Sequence, residues 1–355
     1  MKIVSAASRN IRIPLTRPYA IAGGSWDMVE MVLLELTTDD GRIGYGQASP
    51  AEEVTGETAA SAEAALAPRA IDWLIGCALK DLEFLLAELP HRVNGPAARA
   101  AVDMALFDLE GKRMGLPLVE RLTRVHHTLS TSITIGIKSV EETLSEAEEY
   151  LARGFRVLKI KTGAQVDFDI ERLAMLRERF GAQIVLRADA NQGYDLPSLH
   201  RVVEQIETLD LDLLEQPLPP ALDHELRAFP PALRRRFVAD ESVHDESDLM
   251  RLIGDGCPFG VLNIKLMKCG GVAAAIRLAQ RAERAGMRLM WGCMDESVLG
   301  IAAALHAALA CDATAYLDLD GSFDLTTDPF SGGFRLEGDC MSTLARPGLG
   351  ATPTS

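Results

Sequence analysis

Val157-Leu158-Lys159-Ile160-Lys161 is a short aliphatic run that closes on an ionisable residue, and the chain repeats that design. IVLRAD at 184–189, LDLLE at 211–215, FVAD at 237–240 and VLNIK at 261–265 have the same form. Their last residues, Lys161, Asp189, Glu215, Asp240 and Lys265, follow one another at intervals of 25 to 28 residues. Near-continuous apolar runs of this length are what parallel strands covered on both faces require. Working outward, 132–137, 288–293 and 314–318 complete a set of eight candidate strands. Amphipathic segments such as 140–153, 168–180, 196–209 and 271–285 lie between them. Eight strand–helix units predict a closed parallel α/β barrel. An open doubly wound sheet is the alternative, and the count of eight favours closure.

The flanks read differently. Residues 3–15 and 29–36 have strand character, with Asp39-Asp40-Gly41 as a hairpin turn. An Ala-rich helical stretch begins near Thr58, and a second helix is expected over 97–113, stopped by Gly115-Leu116-Pro117. The basic stretch 121–127 is the expected boundary. The loop-rich tail from about 324, with Pro329, Gly332, Gly333 and Pro347, is expected to pack back on the N-terminal part. The division is therefore an α+β capping domain of residues 1–120 plus about 324–355, and a catalytic barrel over 121–323.

The chain has 355 residues, 48% hydrophobic and 25% charged, which is ordinary for a globular protein with a large core. Asp and Glu total 51 against 36 Lys and Arg, a net charge of −15 that argues against nucleic acid or an anionic membrane as the partner. No two of the 6 cysteines fall at CxxC spacing, so neither a zinc knuckle nor a disulfide framework is indicated. The opening MKIVSAASRNIRIPL lacks a signal-type apolar stretch, and the run 301–311 is too short to span a bilayer. A reduced cytoplasm is the expected location. His126-His127 sits in the linker and is assigned no metal, and Cys269-Gly270-Gly271 reads as a tight turn, not a phosphate cradle.

Barrel chemistry sits at the C-terminal ends of the strands. There, Asp189, Glu215 and Asp240 offer hard oxygen ligands with no imidazole or thiolate, a set suited to Mg²⁺ or Mn²⁺. Lys161 and Lys265, on opposite sides of the ring, would face each other across such an ion. Lys159 shares a strand face with Lys161 and is the neighbouring cation that lowers its pKa toward that of a general base. A base on each face of one carbon, plus a divalent cation for an adjacent carboxylate, fits removal of an α-proton. The cation would hold the resulting enediolate, and reprotonation from the other face would invert the centre.

At these residues the chain resembles the enolase superfamily, in its muconate-lactonizing-enzyme-like subgroup. The motifs are LKIKTG (158–163), RADANQG (187–193), LLEQPLP (213–219), VADES (238–242) and NIKLMKCGG (263–271). The resemblance implies a modified TIM-type barrel with a capping domain, and a Mg²⁺ site at Asp189, Glu215 and Asp240, with Mn²⁺ as a substitute. It also implies acid–base roles for Lys161 and Lys265. Lys159 would bind the substrate carboxylate and tune Lys161, Asn191 would orient the metal ligand, and Lys268 would support the site. Thr134 and Cys293 are candidate lining residues. Asp318-Leu319-Asp320 looks like the Asp-x-Asp pair with which dipeptide epimerases hold a substrate α-ammonium.

The 21–26 loop carries no cation, whereas Asp295, Glu52 and Glu53 are acidic, which points toward cationic or at least non-acidic dipeptides. A homo-oligomer is the family expectation. The alternatives are an N-acylamino-acid racemase or o-succinylbenzoate synthase of the same subgroup and, in another class, a non-catalytic carboxylate-binding barrel.

Overall fold

The computed structural model describes residues 1–254 and 256–354. Its centre is an eight-stranded sheet made of Ile133–Ile135, Val157–Lys161, Val185–Asp189, Leu211–Glu215, Phe237–Ala239, Val261–Ile264, Arg288–Gly292 and Thr314–Asp318, adjacent in chain order. Every pairing is parallel. A parallel bridge between Thr131 and Leu317, with the Ser132 amide donating to Leu317 O at 3.1 Å, joins the last strand to the start of the first. The barrel is thus closed. Leu213, Val238, Val261, Met290 and Tyr316 form a buried apolar cluster inside it, so it has a packed core and no pore.

The intervening helices follow from local chemistry. Val140–Ala152 starts with a reciprocal Ser139/Glu142 capping box, and Leu196–Gln205 with the Asp195 side chain accepting from the Ser198 amide. Two units depart from the expected repeat. The crossover after the fourth strand is the 3₁₀ segment Pro220–Ala228 followed by the single turn of helix Pro231–Arg234, in place of one long helix. The eighth strand is followed by turns and short strands, not by a helix.

The N-terminal part is an antiparallel sheet of β1 (Ile3–Ile21), β2 (Gly24–Thr38) and β3 (Ile43–Ala48). The helix Pro96–Met114 lies directly on β3. A Cβ on Gly46 would stand 1.8 Å from Ala101 O, and one on Gly44 would stand 2.3 Å from Ala105 O. Bare glycines opposite an alanine-rich helix face are what permit this backbone approach.

The expected strand 3–15 is too short. Between Pro14 and Tyr19 the β1–β2 register breaks, and β1 turns to the tail instead: Leu15 bridges Leu325 and the Thr16 amide donates to Asp324 O. Pairing then resumes with Tyr19 opposite Trp26 and Ile21 opposite Gly24. The segment read as a loop at 21–26 is therefore the tip of a long hairpin. The tail adds Phe330–Gly332 paired with Ala351–Pro353, and Phe334–Glu337 paired with Cys340–Thr343, which also pairs with Leu129–Ser130 just ahead of the barrel. Among the described residues no helix is long and apolar enough to cross a membrane.

Candidate active site

A cavity of about 290 Å³ opens over the C-terminal ends of the barrel strands, roofed by the β1–β2 hairpin. Lys159, Lys161, Thr134, Asn191, Lys265, Cys293, Asp295, Asp318 and Asp320 line it. Asp189, Glu215, Asp240 and Lys268 stand behind that lining, all buried. The two-residue period of a strand brings Lys159 and Lys161 to the same side, and both ammoniums reach Asp189 Oδ2, at 3.0 and 2.7 Å. Lys159 also lies 2.9 Å from Glu215 Oε2 and 2.7 Å from Asp318 Oδ2. On the far side Lys265 donates to Asp240 Oδ2 at 2.7 Å, and Lys268 donates to Asp240 Oδ1 and to its backbone carbonyl, each at 2.6 Å.

The pKa directions follow from this wiring. Burial drives the Glu215 carboxyl up, the charge on Asp189 adds to it, and Lys159 offsets only part, leaving it at about 8. Burial would likewise raise Asp240, but Lys265 and Lys268 hold it well below the carboxylate range. Burial would lower the Lys265 ammonium, yet Asp240 outweighs burial and holds it above its ordinary value. As long as Asp240 is its partner, burial alone does not make Lys265 a ready base.

Among the described residues, no group of three or more His, Cys, Asp or Glu side chains stands ready-made to hold a metal ion. The carboxylate oxygens point at lysines instead. The donor set nevertheless fits a hard divalent cation. Asp189, Glu215 and Asp240 end consecutive strands and are all oxygen donors, and the Lys159 ammonium is lodged between Asp189 and Glu215, where positive charge is called for. Asn263 Nδ2 donates to Glu215 Oε1 at 2.7 Å and fixes that carboxylate.

At the last strand, Asp318 and Asp320 both reach the cavity. Burial alone would raise Asp318, but Lys159 and the Ser132 hydroxyl keep it low. Asp320, half-buried beside that charge, is pushed up to about 7 by desolvation and by Asp318, and accepts from the Thr134 amide at 2.7 Å. Thr134 therefore positions Asp320 through its backbone. Asn191, at φ 41°, donates its amide to Asp189 Oδ1 and accepts from Lys161 at 3.1 Å. Cys293 Sγ donates to Asp318 O at 3.3 Å. Glu52 and Glu53 are both exposed, and of the two only Glu53 lines the cavity.

Two residues escape the sequence reading. Glu241 accepts from Asn191 Nδ2 with Oε1, while its buried Oε2 has no hydrogen-bond partner; the signal was its place next to Asp240 in VADES. Tyr19 donates its hydroxyl to Asp295 Oδ2 at 2.7 Å across 276 residues of chain, a contact no local pattern announces.

Comparison with known proteins places this geometry. The N-terminal domain model of mandelate racemase / muconate lactonizing enzyme matches residues 4–122, and the enolase C-terminal domain-like model matches residues 142–355. The chain is 51% identical over 351 residues to L-Lys-D/L-Arg epimerase of Methylococcus capsulatus, covering 99% of each. It is 35% identical to L-Ala-D/L-Glu epimerase of Bacillus subtilis, covering 99% of this chain and 96% of that one. A crystal structure of the Methylococcus capsulatus dipeptide epimerase complexed with Mg and L-Arg-D-Lys superposes with a TM-score of 0.97 at 51% identity, over 99% of this chain and 100% of that one. With the eight-stranded barrel, the capping sheet and both domain models in agreement, the chain belongs to the mandelate racemase/muconate lactonizing enzyme family of the enolase superfamily.

Proposed function

We propose that the protein is a Mg²⁺-dependent dipeptide epimerase that inverts the α-carbon of the C-terminal residue of L,L-dipeptides, with a preference for cationic ones. The observation that carries this reading is the union, in one cavity, of two lysines on opposite strands with the Asp318/Asp320 pair. A free α-ammonium matches Asp318 and Asp320. The α-carbon of the next residue then falls between Lys161 and Lys265. One lysine takes its proton, the other returns a proton to the opposite face, and the configuration inverts. Asn191 holds the Lys161 ammonium, and Lys159 and Lys268 keep the carboxylates in register. A divalent cation held by Asp189, Glu215 and Asp240 supplies charge that offsets those carboxylates, releases Lys265 from Asp240 and stabilises the substrate carboxylate as its α-proton leaves.

The cationic preference is supported by the names of the relatives and by acidic Asp295 and Glu53 on the cavity wall. Residues 1–120 with 324–355 serve as the cap that encloses substrate, and 121–323 as the catalytic barrel. The reading includes a homo-oligomer working in the cytoplasm.

The test is mass spectrometry of pooled L,L-dipeptides incubated with the protein and Mg²⁺ in D₂O. Mg²⁺-dependent deuterium gain at the C-terminal residue of Lys- and Arg-containing peptides is the expected result. Deuterium gain confined to N-acylated amino acids, such as the N-succinyl-L-Arg/Lys named for a 30% identical Bacillus cereus racemase, would replace the dipeptide reading with the racemase one. No α-proton exchange in any pool would leave the carboxylate-binding barrel.

A further inference from the structure

Near the tip of the β1–β2 hairpin, Tyr19 and Trp26 form a cross-strand pair with ring centroids 6.0 Å apart and planes 21° from parallel. Both rings line the cavity. The Tyr19 hydroxyl is bound to Asp295 in the loop after the seventh strand, so a stacked aromatic surface and a carboxylate form one unit. That unit is held in place. Arg17 is paired with Glu146 at 3.1 Å and Glu149 at 2.9 Å, the Ile137 amide donates to Ala20 O at 2.9 Å, and Gly136 leaves room for Tyr19 where a Cβ would come within 3.1 Å of it. Among the described residues Asp295 forms no ion pair, and its carboxylate accepts from the Tyr19 phenol.

An aromatic face beside a carboxylate that makes no ion pair is the chemistry that recognises a planar cation, by stacking together with charge-assisted hydrogen bonds. Guanidinium suits it better than ammonium, because it is planar and weakly hydrated. We propose that Tyr19, Trp26 and Asp295 form the subsite that reads the guanidinium side chain of the dipeptide's N-terminal residue.

The assignment to the N-terminal residue rests on the dipeptide reading above and on position. Asp295 leaves the seventh strand and Asp320 the eighth, while Thr134 lies in the first and Gly136 directly follows it, the next strand around the closed ring. This is the arc that carries the ammonium-binding pair, and a side chain leaves the same carbon as the α-ammonium. Tyr19 and Trp26 are specificity-determining residues, with no part in proton transfer.

The test compares kcat/KM for L-Arg-L-Ala and L-Ala-L-Arg, each as a ratio to L-Ala-L-Ala, in the Mg²⁺-loaded wild type and in Trp26→Leu, Tyr19→Phe and Asp295→Asn. Trp26→Leu is expected to lower the L-Arg-L-Ala ratio about tenfold. Tyr19→Phe lowers it less, since the ring stays and only the tether to Asp295 is lost. In both variants the L-Ala-L-Arg ratio moves by less than about twofold, within ordinary context effects on single contacts. A variant that merely misfolds lowers all three substrates together and leaves the ratios alone. Unchanged ratios, or ratios that fall equally for both arginine positions, overturn the subsite. Wild-type protein that exchanges no dipeptide α-proton overturns the epimerase reading instead. In that case quenching of Trp26 fluorescence by L-Arg-L-Ala, absent in Asp295→Asn, still decides the subsite.

Discussion

Lys159 and Asp318 form a buried ion pair of 2.7 Å that reaches over the first barrel strand, joining the second strand to the eighth beside the closing bridge. The same ammonium contacts Asp189 and Glu215, so one lysine balances carboxylates from three strands. Removing it leaves buried negative charge unpaired, the costly way to break such a network. Lys159→Met is expected to lower unfolding free energy by about 3–5 kcal/mol, read by denaturant titration of metal-free protein. The loss should shrink when Mg²⁺ is added, because the ion replaces part of the missing charge. A variant as stable as wild type without metal would show that the network is not balanced through Lys159.

Lys161 and Lys265 pair with different carboxylates, Asp189 and Asp240, and so sit at separate stations around the cavity. If each serves one face of the α-carbon, losing one should remove epimerisation without removing all proton exchange. Lys161→Ala and Lys265→Ala are each expected to cut epimerisation by more than about 10³-fold, given the usual worth of a positioned acid–base group at both ends of the transfer. Each should still exchange the α-proton of one epimer in D₂O, and the two variants should retain opposite epimers. Loss of exchange from both epimers in both variants would rule out independent bases.

The strands and their charged ends were legible because a strand buried on both faces must read as a near-unbroken aliphatic run, as at Val157–Lys161 and Leu211–Glu215. Lys161, Asp189, Glu215, Asp240, Lys265 and Asp318 stood out because charges that end successive runs converge on one mouth, and Lys159 because its two-residue spacing puts it on the face of Lys161. The hairpin beyond Leu15 was hidden because Thr16-Arg17-Pro18 breaks the β pattern just where the strand changes partners to Leu325. Tyr19–Asp295 and Asn191–Glu241 join segments far apart in the chain, and nothing local encodes them.

Gly46 tests how the cap is mounted. Its missing side chain lets the Pro96–Met114 helix backbone approach β3, and a Cβ there would meet Ala101 O and the Ala101 carbonyl carbon, which are backbone atoms that cannot swing aside. Gly46→Ala is expected to destabilise the protein by about 3 kcal/mol, the upper range for overpacking a tight contact. Thermal unfolding followed by circular dichroism reads the change. A melting point within a degree of wild type would mean that the helix can lift off the sheet at little cost.

The mouth of the barrel also makes stability depend on pH in an unusual direction. Burial and neighbouring carboxylates raise Glu215 to about 8 and Asp320 to about 7, and burial raises Glu296 to about 7. A carboxyl raised in the folded state favours folding fully only below its unfolded value near 4, and that contribution is lost as pH rises through 7 to 8. Asp189, Asp240 and Asp318 are shifted down, so their contribution is already complete above pH 5 and is flat in this window. The metal-free protein is therefore expected to melt several degrees lower at pH 8.5 than at pH 6. A Mg²⁺ ion at the proposed site would bind the carboxylates in their ionised form, so the stabilisation it adds should grow across the same interval. Differential scanning fluorimetry with EDTA or saturating MgCl₂ at both pH values gives the four numbers needed. A Mg²⁺-induced shift equal at pH 6 and pH 8.5 would mean that Glu215 is already ionised at the lower pH and that burial does not govern this site.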